Sequence, residues 1–377
     1  MPTPANEQVS IMINGKAHSQ WESYDIDSDL LTPADAWQVS IGLKAKQLPD
    51  FVQPWAPVEV KVGDDTVLVG RVDEISDHVD KHSHTLTLSG RDYAAILVDC
   101  AAPIFSTRLS TLEQIAAKII RPLGLTKIKI DAASTRIREK INVEPGDRAW
   151  DILSNVAEAN GLWPWFAPDG TLFIGGPDYS KPPVATLVLR RDGKGNNVES
   201  ISRTRNIAGQ FSKITVLGQT HGTETETGKH ALSSTAIDKG VTFNRPQIVI
   251  DHESDNTAVA KDRARKLLAD GQLSAFDLSI KVSGHRISPN GKLWEPGQRI
   301  QVESEPHGIS GIYFLMGRRF TKSRADGTKT ELRLKQDGVW VLDAHPHKRK
   351  HRRGKNAIGA GEIVDVSGLF SGIDFIS

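Results

Sequence analysis

The chain has 377 residues, 47 Lys and Arg against 46 Asp and Glu for a formal net charge of +1, and 38% apolar residues. That balance fits a soluble globular protein of two or three domains and argues against collagen-like, low-complexity and globally basic nucleic-acid-binding chains. The single cysteine, Cys100, excludes an intramolecular disulfide, a Cys-based zinc site and an iron–sulfur cluster.

No apolar run reaches the roughly 18 residues that a spanning helix needs, so no stable membrane insertion is expected. Residues 1–15 lack a basic region followed by an apolar one, so no secretory leader is expected and folding is assigned to the cytoplasm.

Residues 8–13, 36–43, 58–62, 66–75 and 84–89 alternate or are rich in β-branched residues, and turn signals such as Asn14-Gly15 and Gly63-Asp64-Asp65 separate them. Short strands spaced by turns predict a small barrel or sandwich. The period changes after Arg91. Leu112, Ile115, Ala116, Ile119 and Ile120 recur at helical spacing, with Ser110 or Thr111 as N-cap and Pro122 and Gly124 as the stop. A second helix is predicted over 149–160, with Gly161 ending it, and Pro168-Asp169-Gly170 predicts a hairpin joining 163–167 to 171–174. Residues 99–182 therefore read as a small α+β module.

Strands resume at 185–189, 198–203 and 212–217. The stretch 219–239 is rich in Thr, Gly, Ser and charge and reads as an exposed polar loop. One helix is expected over 256–270, capped by Asp255 and stopped by Gly271, followed by strands at 275–282, 299–303, 313–320 and 330–334.

An internal repeat organises these elements. Ala36-Trp37-Gln38-Val39-Ser40-Ile41 matches Ala275-Phe276-Asp277-Leu278-Ser279-Ile280, and at the same spacing Trp55-Ala56-Pro57 meets Trp294-Glu295-Pro296. Gly70-Arg71 is echoed by Gly317-Arg318, and Thr85-Leu86-Thr87-Leu88 by Thr330-Glu331-Leu332-Arg333-Leu334. The expected fold class is mainly β with an α+β insertion: two similar tube-type β-barrel domains, at 1–98 and 183–344, around the module at 99–182. Residues 345–377 follow as a basic linker and tail. Two like β-domains in one chain let a homotrimer present six equivalent units, which suits an adaptor between sixfold and threefold partners.

Several motifs point further. Val69-Gly70-Arg71-Val72, then Leu86-Thr87-Leu88-Ser89-Gly90-Arg91-Asp92-Tyr93, then Thr111-Leu112-Glu113-Gln114-Ile115, then Gly146-Asp147-Arg148-Ala149-Trp150-Asp151-Ile152-Leu153 running on to Ala157 and Gly161 follow one another in order. This series resembles the baseplate hub proteins of contractile phage tails, the Mu type above all. The T-even hub, the late control protein D family and the hub half of type VI spike proteins are more distant relatives. The resemblance implies a homotrimeric ring beneath the tail tube or its adaptor, with a central spike below and wedge proteins around it. It also implies a channel that passes DNA without sequence-specific binding, a place in the virion tail after assembly in the host cytoplasm, no catalytic activity and no cofactor.

The other candidate sites have plainer readings. Asp25-Ile26-Asp27-Ser28-Asp29 has the opening spacing of a calcium loop but carries Leu30 and Trp37 where that loop needs Gly and Glu, so a solvated strand edge fits better. His82 and His84 lack a spaced carboxylate or thiol partner and read as a polar hairpin tip. No Walker A, Gly-x-Ser-x-Gly or His-Glu-x-x-His motif occurs. Trp55, Pro57, Trp294 and Pro296 read as corner packing, since Pro fixes φ at the entry to a strand.

Lys348, Arg349, Lys350, Arg352, Arg353 and Lys355 form a basic knot without an acid, leaving 41 basic against 46 acidic residues elsewhere. It reads as a charged linker, with contact to DNA phosphates or an acidic partner as the other reading. Beyond it, Leu369, Phe370, Ile373 and Phe375 read as a tail that docks on the spike or a neighbouring subunit. Three other roles stay open at this point: the hub of a type VI or pyocin-like device, a tail-associated cell-wall or carbohydrate-active enzyme, and a carbohydrate-binding module.

Overall fold

The computed structural model describes residues 4–42, 52–132, 138–218, 232–251, 257–288 and 291–342, with the backbone of Val364–Asp365. The first strands are β1 (Val9–Ile13), β2 (Lys16–His18), β3 (Ser23–Asp29), β4 (Ala36–Gly42), β5 (Pro57–Val62), β6 (Asp65–Val79) and β7 (His84–Asp92). The module holds α1 (Ala94–Asp99), β8 (Ser106–Ser110), α2 (Leu112–Ile120), β9 (Lys127–Ile130), β10 (Arg138–Asn142), α3 (Ala149–Glu158), β11 (Trp163–Phe166) and β12 (Leu172–Gly175). Next come β13 (Ala185–Leu189), β14 (Ser200–Arg205), β15 (Lys213–Gly218), β16 (Leu232–Ile237), β17 (Pro246–Ile250) and α4 (Thr257–Ala275). The chain then forms β18 (Phe276–Ser283), β19 (Arg299–Ser304), β20 (Ile309–Ser323), β21 (Gly327–Gln336) and β22 (Val364–Asp365).

Thirteen strands join in one sheet. Its first set runs β3-β4-β7-β6-β5-β1 and its second β14-β18-β21-β20-β19-β13, so the two sets share one strand order. They differ at the last step, where β1 lies antiparallel to β5 but β13 lies parallel to β19. The sets are joined through β20 and β3, which pair antiparallel from Gly317 opposite Asp29 to Lys322 opposite Tyr24.

The mainly β class with an α+β insertion is what the structure has. Among the described residues, however, neither set closes into a barrel: the strand path is open, ending at β2 and β14. One apolar core runs under both sets, from Ile11, Val39 and Val60 to Ile280, Val302 and Leu332.

Alternation explains the strands. In β5, Val58, Val60 and Val62 point inward, as Ile300, Val302 and Ser304 do in β19. The module has a separate core built on α2 and α3. Thr111 caps α2 with a full capping box, its hydroxyl accepting from the Gln114 N–H while the Gln114 side chain accepts from the Thr111 N–H. Asp92 accepts from the Ala94 N–H at the start of α1. The module then clamps onto the joint between the sets, with Trp163 donating to the Leu30 carbonyl at 2.6 Å.

Three expectations change. The segment around Asp25, Asp27 and Asp29 is no edge: β3 lies inside the sheet between β20 and β4, and its acids are neutralised by Arg319 on β20 and by Arg333 reaching over from β21. The polar stretch is not all loop, since 232–237 form β16 beside β15 and 219–231 lie outside the described residues. The last long helix does not stop at Gly271 but runs to Ala275. Gly271 serves close approach instead, as a Cβ there would lie 2.4 Å from the Gly209 carbonyl oxygen. Asp255, the expected cap, lies outside the described residues. Strands β15, β16 and β17 with α4 make a small sheet with its own core of Ile214, Val216, Ala260 and Ala264, a unit within 183–344 that the sequence reading had merged with its surroundings.

Candidate assembly interface

Charge and unfilled backbone edges concentrate where the two strand sets meet and where they end. At the internal joint, alternate residues of β3 point to opposite faces. On the outer face, Asp25 pairs with Arg319, Asp27 with Arg333, and Asp29 with Arg333 at 3.1 Å.

On the core side, His285 sits fully buried in a polar chain. Its Nε2 is 2.8 Å from the Tyr24 hydroxyl and its Nδ1 is 3.0 Å from Thr330 Oγ1. The Thr330 hydroxyl donates to the Gly284 carbonyl, so His285 Nδ1 carries the proton and Nε2 accepts from Tyr24. The Phe320 ring stacks on the imidazole at 4.3 Å, and the His285 N–H donates to Glu7. Burial, with the Arg318 and Arg286 charges beside it, pushes the imidazole down to about 3.

Beneath the module lies a cavity of about 350 Å³ whose walls include Asp35, Asp92, Arg318 and Trp165. Burial raises the Asp35 and Asp92 carboxyls, with the Asp27 charge adding to the rise at Asp35 and the Asp35 charge adding to the rise at Asp92. Arg318 stacks on Phe320 at 3.9 Å, and its buried Nε and Nη1 have no hydrogen-bond partner among the described residues. In this cluster between elements, burial favours the protonated form of both carboxyls. The Ser28 hydroxyl bonds the Asp35 carboxyl within it, and among the described residues no group of three His, Cys, Asp or Glu is set to hold a metal.

At the ends of the sheet, one edge of β6 from Asp73 to Val79 carries no strand among the described residues, and neither does the outer edge of β14. Val79 is 65% exposed, and Ile207, just past β14, is 50% exposed. The small sheet also leaves Ile248 and Ile250 exposed on the face opposite α4.

The repeat positions fall in related places. Trp37 and Phe276 are buried at the starts of β4 and β18, and Trp294 is buried as well. Gly70 and Gly317 lie in β6 and β20; a Cβ on Gly70 would stand 2.0 Å from the Arg91 carbonyl oxygen, and Gly317 faces Asp29. Pro57 opens β5, whereas Pro296 precedes β19 by a turn.

Trp55 departs from the corner-packing expectation. It is 56% exposed with φ of 69°, because its N–H is tied to the Val72 carbonyl and its own carbonyl accepts from Arg71. The basic residues Lys348, Arg349, Lys350, Arg352 and Arg353 and the tail residues Leu369, Phe370, Ile373 and Phe375 lie outside the described residues. Between them, Val364–Asp365 adds antiparallel to β9 at the edge of the module. The acids of β3 were the residues sequence reasoning misplaced; their signal was the alternation of Tyr24 and Ile26 between them.

Four domain models match the chain in order. They are a Mu phage baseplate assembly protein GpP-like N-terminal domain at 8–92, a baseplate hub protein gp44-like second domain at 94–176, a tail protein NMB1110-like third domain at 210–268, and a tail protein C-terminal domain of the same type at 270–339. The third matches the small sheet with α4. The chain is similar to the tail protein from Neisseria meningitidis MC58, at 40% identity and TM-score 0.79, covering 90% of this chain and 99% of that one. It is similar to the baseplate hub protein gp44 of Escherichia phage Mu, at 23% identity over 95% of each chain. It also shares the fold of the 43 kDa tail protein of prophage MuSo2 from Shewanella oneidensis, at 22% identity and TM-score 0.78, covering 88% of this chain and 99% of that one.

Proposed function

This chain belongs to the family of Mu-like phage baseplate hub and tail proteins, and on that premise we propose that three copies form a ring of six related strand sets. The ring joins the sixfold tail tube, or its adaptor, to a threefold central spike. Wedge proteins hold its rim, and DNA passes through it without being read by sequence. The role is structural, exercised in the virion tail after assembly in the host cytoplasm.

The observation that carries this reading is the repeated strand order within one chain. Three chains with two sets each present sixfold-like and threefold surfaces on a single particle, which is what a symmetry adaptor requires. The basic stretch from Lys348 serves as a soluble linker, and Leu369, Phe370, Ile373 and Phe375 dock on the spike or on a neighbour.

Electron-microscope images of the purified protein test the ring. The expected class averages show a closed annulus with six lobes around a channel. Averages of isolated single lobes at every concentration would overturn the reading. For the tail, loss of hub–spike co-purification on deleting residues 356–377 is expected, and unchanged co-purification would rule out spike docking.

A further inference from the structure

We propose that the ring closes through one seam, in which the second half of β6 of one copy pairs antiparallel with β14 of the next; this rests on the ring reading above. The chain shows within itself how the seam is made. Strands β6 and β20 are each 15 residues long and occupy the same place in their sets. The first half of β20 pairs with β19, and the second half of the same edge takes β3 from the other set. The first half of β6 pairs with β5 in the same way, but its second half has nothing to take among the described residues. Strand β14 stands to β18 as β3 stands to β4, and its outer edge is empty among the described residues. Each chain thus ends in the two halves of a joint it has already made once internally.

The register follows from the same equivalence. Ile26 lies opposite Trp37 in the first set, and Arg205 lies opposite Phe276 in the second. The equivalent pairs Ile41–Leu86 and Ile280–Leu332 align β7 with β21, which makes Val79 the counterpart of Phe320. Since Phe320 faces Ile26, Val79 faces Arg205 of the next copy and Asp77 faces its Ile207.

Ile75 and Ile201 both pack against the main core, so Asp77 and Val79 share a sheet face with Arg203 and Arg205. On the diagonals, Asp77 reaches Arg205 and exposed Val79 reaches exposed Ile207, contacts within range of long side chains across antiparallel strands. The seam would cover two edges that otherwise stand open as aggregation templates.

The charges also set direction. At the internal joint the acids are on β3 and the arginines on β20 and β21. At the seam the order is reversed, with Asp77 on β6 and Arg203 and Arg205 on the same face of β14, while Glu74 lies on the other face. An exchanged pairing, β3 with β6 or β14 with β20, sets like charges side by side and is disfavoured.

Asp77→Arg and Arg205→Asp each put like charges across the seam, and the double variant restores opposite ones. Light scattering across a concentration series is expected to show each single variant needing about tenfold or more protein to form trimers, with the double variant recovering. Below the assembly concentration the melting curve of Arg205→Asp should be unchanged, because Arg205 is exposed. Asp77→Arg also removes the 2.5 Å contact of Asp77 with His84 Nε2, so its melting and assembly are read against Asp77→Asn, which removes the charge without reversing it. In a Cys100→Ser background, Val79→Cys with Arg205→Cys is expected to give covalent dimers and trimers on oxidation, and Val79→Cys with Ser200→Cys is not. A wild-type trimer that withstands both reversals and forms no cross-link overturns the seam and leaves the ring reading standing. A chain that stays monomeric at all concentrations and forms no cross-link overturns both.

Discussion

At His285, a neutral imidazole is held between a donor and an acceptor inside the core, and protonation would place a charge there with Arg318 and Arg286 close by. Its folded pKa lies below the ordinary value, so the unfolded chain binds a proton that the folded chain refuses between pH 6.5 and about 3. That contribution is fully present above pH 6.5 and is lost as pH falls through the window, at about 1.4 kcal/mol per pH unit.

Asp35 and Asp92 act with the opposite sign. Their raised pKa values let the folded chain keep protons that the unfolded chain releases, so their contribution grows as pH falls. The two effects separate by difference. The destabilisation caused by His285→Gln should shrink as pH is lowered from 7 to 4 in urea melts, and a constant penalty would contradict the assignment.

Burial and the Asp35 charge favour the uncharged form of Asp92, whose shape an amide reproduces. Asp92→Asn is therefore expected to change stability at pH 7 by less than about 1 kcal/mol. Arg318→Ala leaves the buried Asp35 without its counter-charge and is expected to cost about 3–5 kcal/mol. Equal losses for the two variants would contradict the assignment of the uncharged form to Asp92.

Among the elements, those with their own periodicity were legible and those made by distant partners were not. Helix α2 carries its apolar stripe and its capping box within eleven residues, so its start and its stop could be read directly. Strand β3 offers only Tyr24 and Ile26 as inward residues, and its acids look solvated until Arg319 and Arg333, about 300 positions away, are placed beside them. Strand β16, with a single run of small polar residues, becomes a strand only by lying against β15.

Gly271 shows how a stop signal can mislead. In isolation Gly ends helices, yet here it admits the Gly209 backbone to the flank of α4. Gly271→Ala is expected to cost about 1–3 kcal/mol in thermal or urea melts by forcing those backbones apart. Unchanged stability would mean the contact is slack.

Across the molecule, the repeat was legible because core strands of one topology need the same inward residues at the same spacing, as in Trp37-x-Val39-x-Ile41 and Phe276-x-Leu278-x-Ile280. The joint between the sets was not legible, since strand pairing across some 300 residues leaves no local period. Nor did closed barrels follow from the strand count: among the described residues each set leaves an edge open, and self-association would finish the sheet. The exposure of Trp55 was hidden for a related reason, as a matching Trp-x-Pro step can turn outward when the backbone takes a left-handed turn.

The most direct measurement is the native mass of the purified protein in solution. The account predicts a stable particle of three times 41.2 kDa, formed reversibly as concentration rises. A mass of 41.2 kDa that persists into the millimolar range would contradict it.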